Sequence, residues 1–185
     1  QEYLIMDPIS KWPSGWGWDN KNDRGMLPED TNGSYCGVGG ENVGHKWLAD
    51  AHVSLCNRAG IRIAGTNAEV LKYQTSPSDV ISAADGLWIT RFLLGRLAEQ
   101  RGLAISYAPK PFEEYNGSGA HINFSTKEMR EEGGEEYFTY ICDVLKDNHK
   151  KVMDSYGADN KKRLTGKNET SKYNKFTYAV SDRTA

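Results

Sequence analysis

The stretch Ile61–Val70, reading IRIAGTNAEV, constrains this chain more than any other. Ile61 and Ile63 flank Arg62 in the period-two pattern of a half-buried strand, and the run turns polar before ending on Glu69. A carboxylate at the end of a strand that begins apolar is placed to lean out of a core into a cavity. A solvated strand end is the commoner explanation of a lone Glu, so the meaning of Glu69 depends on its company. Helix signals frame the strand. From Gly44 to Ala59 the residues Trp47, Leu48, Ala51, Leu55 and Cys56 fall at helical spacing, with Gly60 as the stop. From Asp79 to Gln100, capped by Ser78 or Asp79, the apolar set is Ile81, Ala84, Trp88, Phe92 and Leu97. Leu71–Asp79, between strand and second helix, reads as a short polar turn.

The remaining elements follow from the same rules. Gln1–Met6 alternates as a strand, with Glu2 and Leu4 on one face and Tyr3 and Ile5 on the other. Lys11–Gly44 has no sustained period and reads as a long loop anchored by Trp12, Trp16 and Trp18. His45 and His52, on or beside the first helix, lack a partner at ligand spacing and read as surface or packed residues. Leu103–Tyr107 is a strand, Asn116–Gly119 (NGSG) a tight turn, and Ala120–Thr126 a strand with His121, Asn123 and Ser125 on one face. A third helix near Glu135–Ser155 offers Phe138, Ile141, Val144, Leu145, Val152 and Met153 as its buried stripe. Arg163–Ser171 is turn-rich, and Tyr173–Val180 is a candidate last strand.

Composition narrows the function classes. A chain of 185 residues with 38% hydrophobic content and a mean hydropathy of −0.68 describes one rather polar globular domain. A net charge of −2 gives no electrostatic case for nucleic acid or an anionic membrane. No apolar run approaches the roughly 20 residues of a membrane span. Neither a targeting peptide nor an initiator Met is visible, which suggests a fragment or a processed chain. Cys36, Cys56 and Cys142 lack metal-type spacing and read as free thiols, pointing to the cytoplasm or an organelle stroma or matrix.

Two strand-borne carboxylates, Glu2 and Glu69, and an imidazole, His121, form a donor set suited to Mg²⁺ or Mn²⁺. These three should lie on adjacent strands and point into one cavity. There is no Walker A sequence and no GxGxxG before a helix, so a nucleotide would have to be held by metals and arginines.

At this point the chain resembles glutamine synthetase in its eukaryotic-type branch. The matching words are QEY at the start, YCGVG at Tyr35–Gly39, AGIRIAGTNAEV at Ala59–Val70, LW-x-x-RF at Leu87–Phe92 and PKP at Pro109–Pro111. NGSGAHINFST at Asn116–Thr126, KEMREEGG at Lys127–Gly134 and RLTG-x-x-ETS at Arg163–Ser171 continue in the family's order. The resemblance implies an α+β fold, a curved and mostly antiparallel sheet forming part of a barrel with flanking helices, and subunits stacked in rings. It implies that residues 1–185 are the central part of the catalytic domain, without its small N-terminal β-domain or its C-terminal part. It assigns Glu2 and Glu69 to two of three carboxylates around one Mg²⁺ or Mn²⁺, and His121 to the other metal. Asn123 and Ser125 fall where the family contacts ATP, Asn116 and Gly117 in its glutamate-binding loop, and Arg163 on the glutamate carboxylate. Glu169 matches the flap carboxylate that helps take a proton from ammonium, and Arg183 the arginine that steadies the transferring phosphate. The implied reaction joins ammonia to glutamate at the expense of ATP through a γ-glutamyl phosphate.

The sequence also departs from that pattern. After NAEV the family has a turn and a return strand like QWEFQIGP, whose Glu completes the first metal site. Here Gln74 is followed by Thr75, Ser76 and Pro77, the stretch is several residues shorter, and that Glu is missing. Glu113-Glu114-Tyr115 stands where the family has Gly-Asn-Trp, Asn168 replaces a His, and Asp182 an Asn. Two readings follow: part of an ordinary glutamate–ammonia ligase, or a degenerate relative serving as a structural or interaction subunit of a larger assembly. A pure metal- or nucleotide-binding regulator is a third and weaker reading. The expectation is that residues 1–185 alone form no glutamine.

Overall fold

A computed structural model describes residues 1–14, 16, 18–19, 24–25, 37–40, 42–68, 71–113, 115–131, 134–167 and 171–180. The fold is α+β, with small antiparallel sheets, none of them closed. The chain divides into two compact units, Gln1–Ala108 and Pro109–Ala185.

The first unit contains β1 (Leu4–Met6), β2 (Trp18–Asp19), β3 (Arg24–Gly25), α1 (Lys46–Arg58), β4 (Ile63–Ala68), β5 (Leu71–Thr75), α2 (Val80–Glu99) and β6 (Ala104–Ser106). β4 and β5 form an antiparallel hairpin in which Thr66 faces Tyr73, Asn67 faces Lys72 and Ala68 faces Leu71. The turn expected at Leu71–Asp79 is therefore a strand as far as Thr75, and the return strand that the sequence seemed to lack is present as LKYQT. Its shortness hid it: a five-residue strand with one polar residue at every second place resembles a turn until a partner is laid beside it. Glu69 and Val70 lie outside the described residues.

The amino-terminal strand joins two ladders. Met6 faces Ala104 and Leu4 faces Ser106 in the β1–β6 pair. Residues 1–3 run beside β5: Tyr3 N donates to Leu71 O at 2.8 Å, Tyr73 N to Gln1 O at 3.1 Å, and Glu2 pairs with Lys72. Period-two alternation then sends Tyr3, Ile5 and Tyr73 into the core, where they meet Leu48 of α1 and Leu94 and Ala98 of α2. Each fully buried side chain of this size contributes about 1.5–3 kcal/mol.

α1 starts at His45, a residue in the left-handed region (φ 60°) whose ring nitrogen Nε2 lies 2.7 Å from Ser14 Oγ. α2 is capped by Asp79, which accepts from the backbone N–H groups of Ile81 and Ser82, as the sequence indicated. Its buried face differs from the expected one. Gly86, Thr90, Leu94 and Ala98, spaced four apart, are buried, whereas Ile81, Trp88 and Phe92 are 64–70% exposed. This helix carries apolar residues all round, so hydrophobicity alone cannot choose a face; small size does. A Cβ on Gly86 would already stand 3.8 Å from Ile61. His52 and Cys56 complete the contact between the helices. The Thr90 carbonyl can only accept, so His52 Nε2 carries the proton that it shares at 2.9 Å, and Cys56 Sγ lies 3.1 Å from the same nitrogen. Tyr73 OH lies 2.8 Å from Thr90 Oγ1.

The second unit holds a 3₁₀ turn (Glu128–Arg130), α3 (Gly134–Asp147), α4 (His149–Ser155) and α5 (Asn160–Arg163). The single helix expected over Glu135–Ser155 is broken at Asn148, whose backbone (φ −103°, ψ 14°) leaves the helical region. Its expected stripe is only half covered, and Phe138 and Val144 remain exposed. Ala120–Thr126 and Tyr173–Val180 form no strand, because alternation without a neighbouring ladder does not make one. No helix among the described residues is long and apolar enough to cross a membrane.

Two outcomes test this packing. Leu94→Ala should cost about 2–5 kcal/mol in urea unfolding, and Phe92→Ala about 0.5 kcal/mol or less. The order expected from hydrophobic periodicity alone would be the reverse or equal. Burial, opposed by the weaker effect of the Thr90 hydrogen bond, pushes the His52 imidazole below its ordinary 6.5. The unfolded chain therefore takes up a proton that the folded chain refuses, so this contribution is complete above 6.5 and is lost as pH falls. The urea midpoint should decline from about pH 6.5 toward pH 5 in the wild type, and less steeply in His52→Asn.

Candidate functional site

In the second unit the NGSG turn is a close-approach site. Ser118 N donates to Pro109 O at 2.8 Å, and Tyr115, just before the turn, is buried. Arg163, the last residue of α5, lies directly on the turn: a Cβ built on Gly117 would stand 2.7 Å from Arg163 Cγ and 3.2 Å from Pro109 O. The guanidinium continues past Gly119, with Nη1 3.7 Å from the Cβ position there. Only glycine lets an arginine stem lie this close to the backbone. Residues 116, 117 and 163, joined on the sequence only by resemblance, are thus neighbours in space.

Beyond Arg163 the chain folds back on itself. Thr165 pairs with Lys172, Tyr173 N donates to Leu164 O at 3.0 Å, and His149 Nε2 donates to Tyr173 O at 2.8 Å. These bonds tie residues 164 and 165 to 172 and 173, and 173 to His149. Glu169 itself, and Arg183, lie outside the described residues.

His121 and Asn123 are exposed and lie outside any strand. Ser125 is held by Arg130, whose Nη1 donates to Ser125 Oγ at 2.7 Å and to Ser125 O at 3.1 Å. Sequence reasoning missed Arg130; its signal was a cation five residues after the serine, within KEMREE.

In the first unit Glu2 faces Lys72 across the ladder, with Nζ 3.6 Å from Oε1 and side chains 27% and 13% exposed for Lys72 and Glu2. Lys72 was also missed. Its signal lay in LKYQ: with Gln74 set on the glutamine of the family's WEFQ, Lys72 falls on the missing Glu. Beside the hairpin a cavity of about 420 Å³ is lined by Gly37, Val38, Val43, Lys46, Thr66 and Leu71. Glu2 belongs to the first unit and His121 to the second, each described within its own unit.

Residues 2–139 match the family model described as glutamine synthetase, catalytic domain. The chain belongs to the glutamine synthetase family. It is 41% identical over 190 residues to a cytosolic glutamine synthetase isozyme of Pinus sylvestris, covering 100% of this chain and 52% of that protein. Against glutamine synthetase of Neurospora crassa the identity is 42%, again over the whole chain and 51% of the relative. A chloroplastic/mitochondrial glutamine synthetase of Arabidopsis thaliana is 41% identical, with 99% and 42% covered. The chain therefore spans about half the length, or less, of these relatives. The fold is shared with the glutamine synthetase of Plasmodium falciparum solved by cryo-electron microscopy, at a TM-score of 0.62 and 17% identity over 99% of this chain and 42% of that one.

Within the glutamine synthetase family the resemblance gives Glu2 to a metal. The described residues around it do not fit one. An ammonium faces the carboxylate, and no group of three or more His, Cys, Asp or Glu gathers to hold a metal among the described residues.

Proposed function

We propose that residues 1–185 are the central part of a glutamine synthetase-like catalytic domain that keeps the glutamate-binding side of its active site. The observation that carries this reading is the contact of Arg163 with the 116–119 turn. The Arg163 stem and guanidinium run along the turn at Gly117 and Gly119, and a guanidinium is the side chain best matched to a carboxylate. Glutamate's carboxylate would be bound there, with Asn116 contributing from the turn. The reaction that such a site serves is ATP-dependent. A side-chain carboxylate oxygen of glutamate attacks the γ-phosphorus, ADP leaves, and ammonia displaces phosphate from the resulting acyl phosphate. Asn123, Ser125 and Arg183 are the proposed nucleotide contacts, with Arg183 on the transferring phosphate and Glu169 as the proton acceptor for ammonium.

The proposed architecture is a partial barrel, with these small antiparallel ladders as pieces of one curved sheet. A homo-oligomeric ring or a larger complex is the proposed setting. Exposed Trp88 and Phe92, one turn apart on α2, support it, as large apolar side chains grouped on one helix face are a common contact for a partner. Cytoplasm, stroma and matrix are the compartments proposed, in keeping with relatives named cytosolic and chloroplastic/mitochondrial. Mg²⁺ or Mn²⁺, the family's cofactors, are the part of the resemblance that Glu2 does not support. That mismatch favours a second reading, a degenerate relative that acts as a structural or interaction subunit.

Calorimetric titration with glutamate distinguishes the two. Losing a charged hydrogen bond should weaken glutamate binding about tenfold or more in Arg163→Lys and in Gly117→Ala, whose Cβ displaces the arginine. The unfolding midpoint of Arg163→Lys should stay close to wild type. Absence of glutamate binding in the wild type would leave the subunit reading. Phosphate release that needs both glutamate and ammonium would establish the ligase.

A further inference from the structure

We propose that Lys72 replaces the first metal of the family: its ammonium is the permanent counter-charge of Glu2, and the Glu2 position takes neither Mg²⁺ nor Mn²⁺. The inference rests on the family assignment of Glu2, not on the glutamate reading, and its test reads metal alone.

The placement of Lys72 follows from packing that has nothing to do with charge. Tyr73 is 2% exposed, seated against Tyr3 with ring centroids 6.2 Å apart and hydrogen-bonded to Thr90. That anchor fixes the register of β5. Because side chains alternate along a strand, a core Tyr73 requires Lys72 on the opposite face. The ladder between residues 1–3 and β5 then sets Lys72 directly across from Glu2. Sliding β5 by one residue would relieve the contact only by burying the ammonium and exposing the tyrosine. Lys72 is therefore held at Glu2 by the core behind it, unlike a mobile surface lysine that meets a carboxylate by chance.

The chemistry agrees with the geometry. Mg²⁺ gives up its water reluctantly and needs several oxygen donors to do so. Here a tethered ammonium already sits 3.6 Å from the carboxylate oxygen, and it would repel an arriving dication. Arg91, on α2, donates through Nη2 to Gln1 Oε1 at 2.6 Å and does not contact Glu2 through that bond. The guanidinium also covers the Tyr107 ring at 4.6 Å. Lys72 thus supplies positive charge at a fixed position without exchange, release or dependence on metal supply. It cannot supply what a metal adds beyond charge, namely several open coordination positions for substrate oxygens.

The test is Mn²⁺ binding, read by the electron paramagnetic resonance signal of free Mn²⁺, on the whole protein and its variants. Wild type and Glu2→Gln should bind the same number of Mn²⁺ ions with the same affinity. Lys72→Glu should gain one Mn²⁺ equivalent, bound about tenfold or more tighter than any the wild type holds there, and lose it when Glu2→Gln is added. The proposal is overturned if Glu2→Gln lowers the Mn²⁺ affinity of the wild type about tenfold. It is equally overturned if Lys72→Glu, folded by circular dichroism, gains no Glu2-dependent ion. Should Lys72→Glu fail to fold, the comparison of wild type with Glu2→Gln decides alone: equal binding supports the replacement and unequal binding ends it.

Discussion

Tyr3 N donates to Leu71 O and Tyr73 N to Gln1 O, and these bonds fasten the amino-terminal strand to the β4–β5 hairpin. Everything in the first unit follows from that joint. On one face it stacks Tyr3 and Tyr73 under the two helices, where Leu48, Leu94 and Ala98 close over them. On the other it presses Glu2 against Lys72. A period of two allows no compromise between the faces. The register that builds the core is the register that builds the ion pair, so a change at either is felt at the other.

The second unit is organised differently. Its buried residues are few, and its order is held by turns: Ser118 N on Pro109 O, the Thr165–Lys172 pair, and His149 on Tyr173 O. Gly117 is the pivot. A Cβ there would collide with Arg163 Cγ and crowd the Pro109 carbonyl. Family membership and this local geometry are independent observations, and both direct attention to the same turn.

Much of this was legible in the sequence, and the failures have physical causes. The α2 cap at Asp79 and the limits of α1 and α2 could be read because they depend on local chemistry. The hairpin could not be read as a pair, because LKYQT shows its pattern only beside β4. The buried face of α2 was misassigned, because a helix apolar all round is oriented by the small residues Gly86 and Ala98 and not by Trp88 or Phe92. Strands were expected at 120–126 and 173–180 from alternation alone, and alternation without a ladder is not a strand. At the site, Gly117 and Arg163 were visible only as separate words of one family, 46 positions apart by number (163 − 117). Lys72 was overlooked because a missing Glu drew attention to a loss, when the residue in its place was the informative one.

The measurement that tests this account most directly is a crystal structure grown with Mn²⁺, with an anomalous difference map collected at the manganese edge. The account predicts the Lys72 ammonium on the Glu2 carboxylate and no anomalous peak within about 2.5 Å of either Glu2 oxygen. A manganese peak bonded to Glu2, with Lys72 turned away from it, would contradict it.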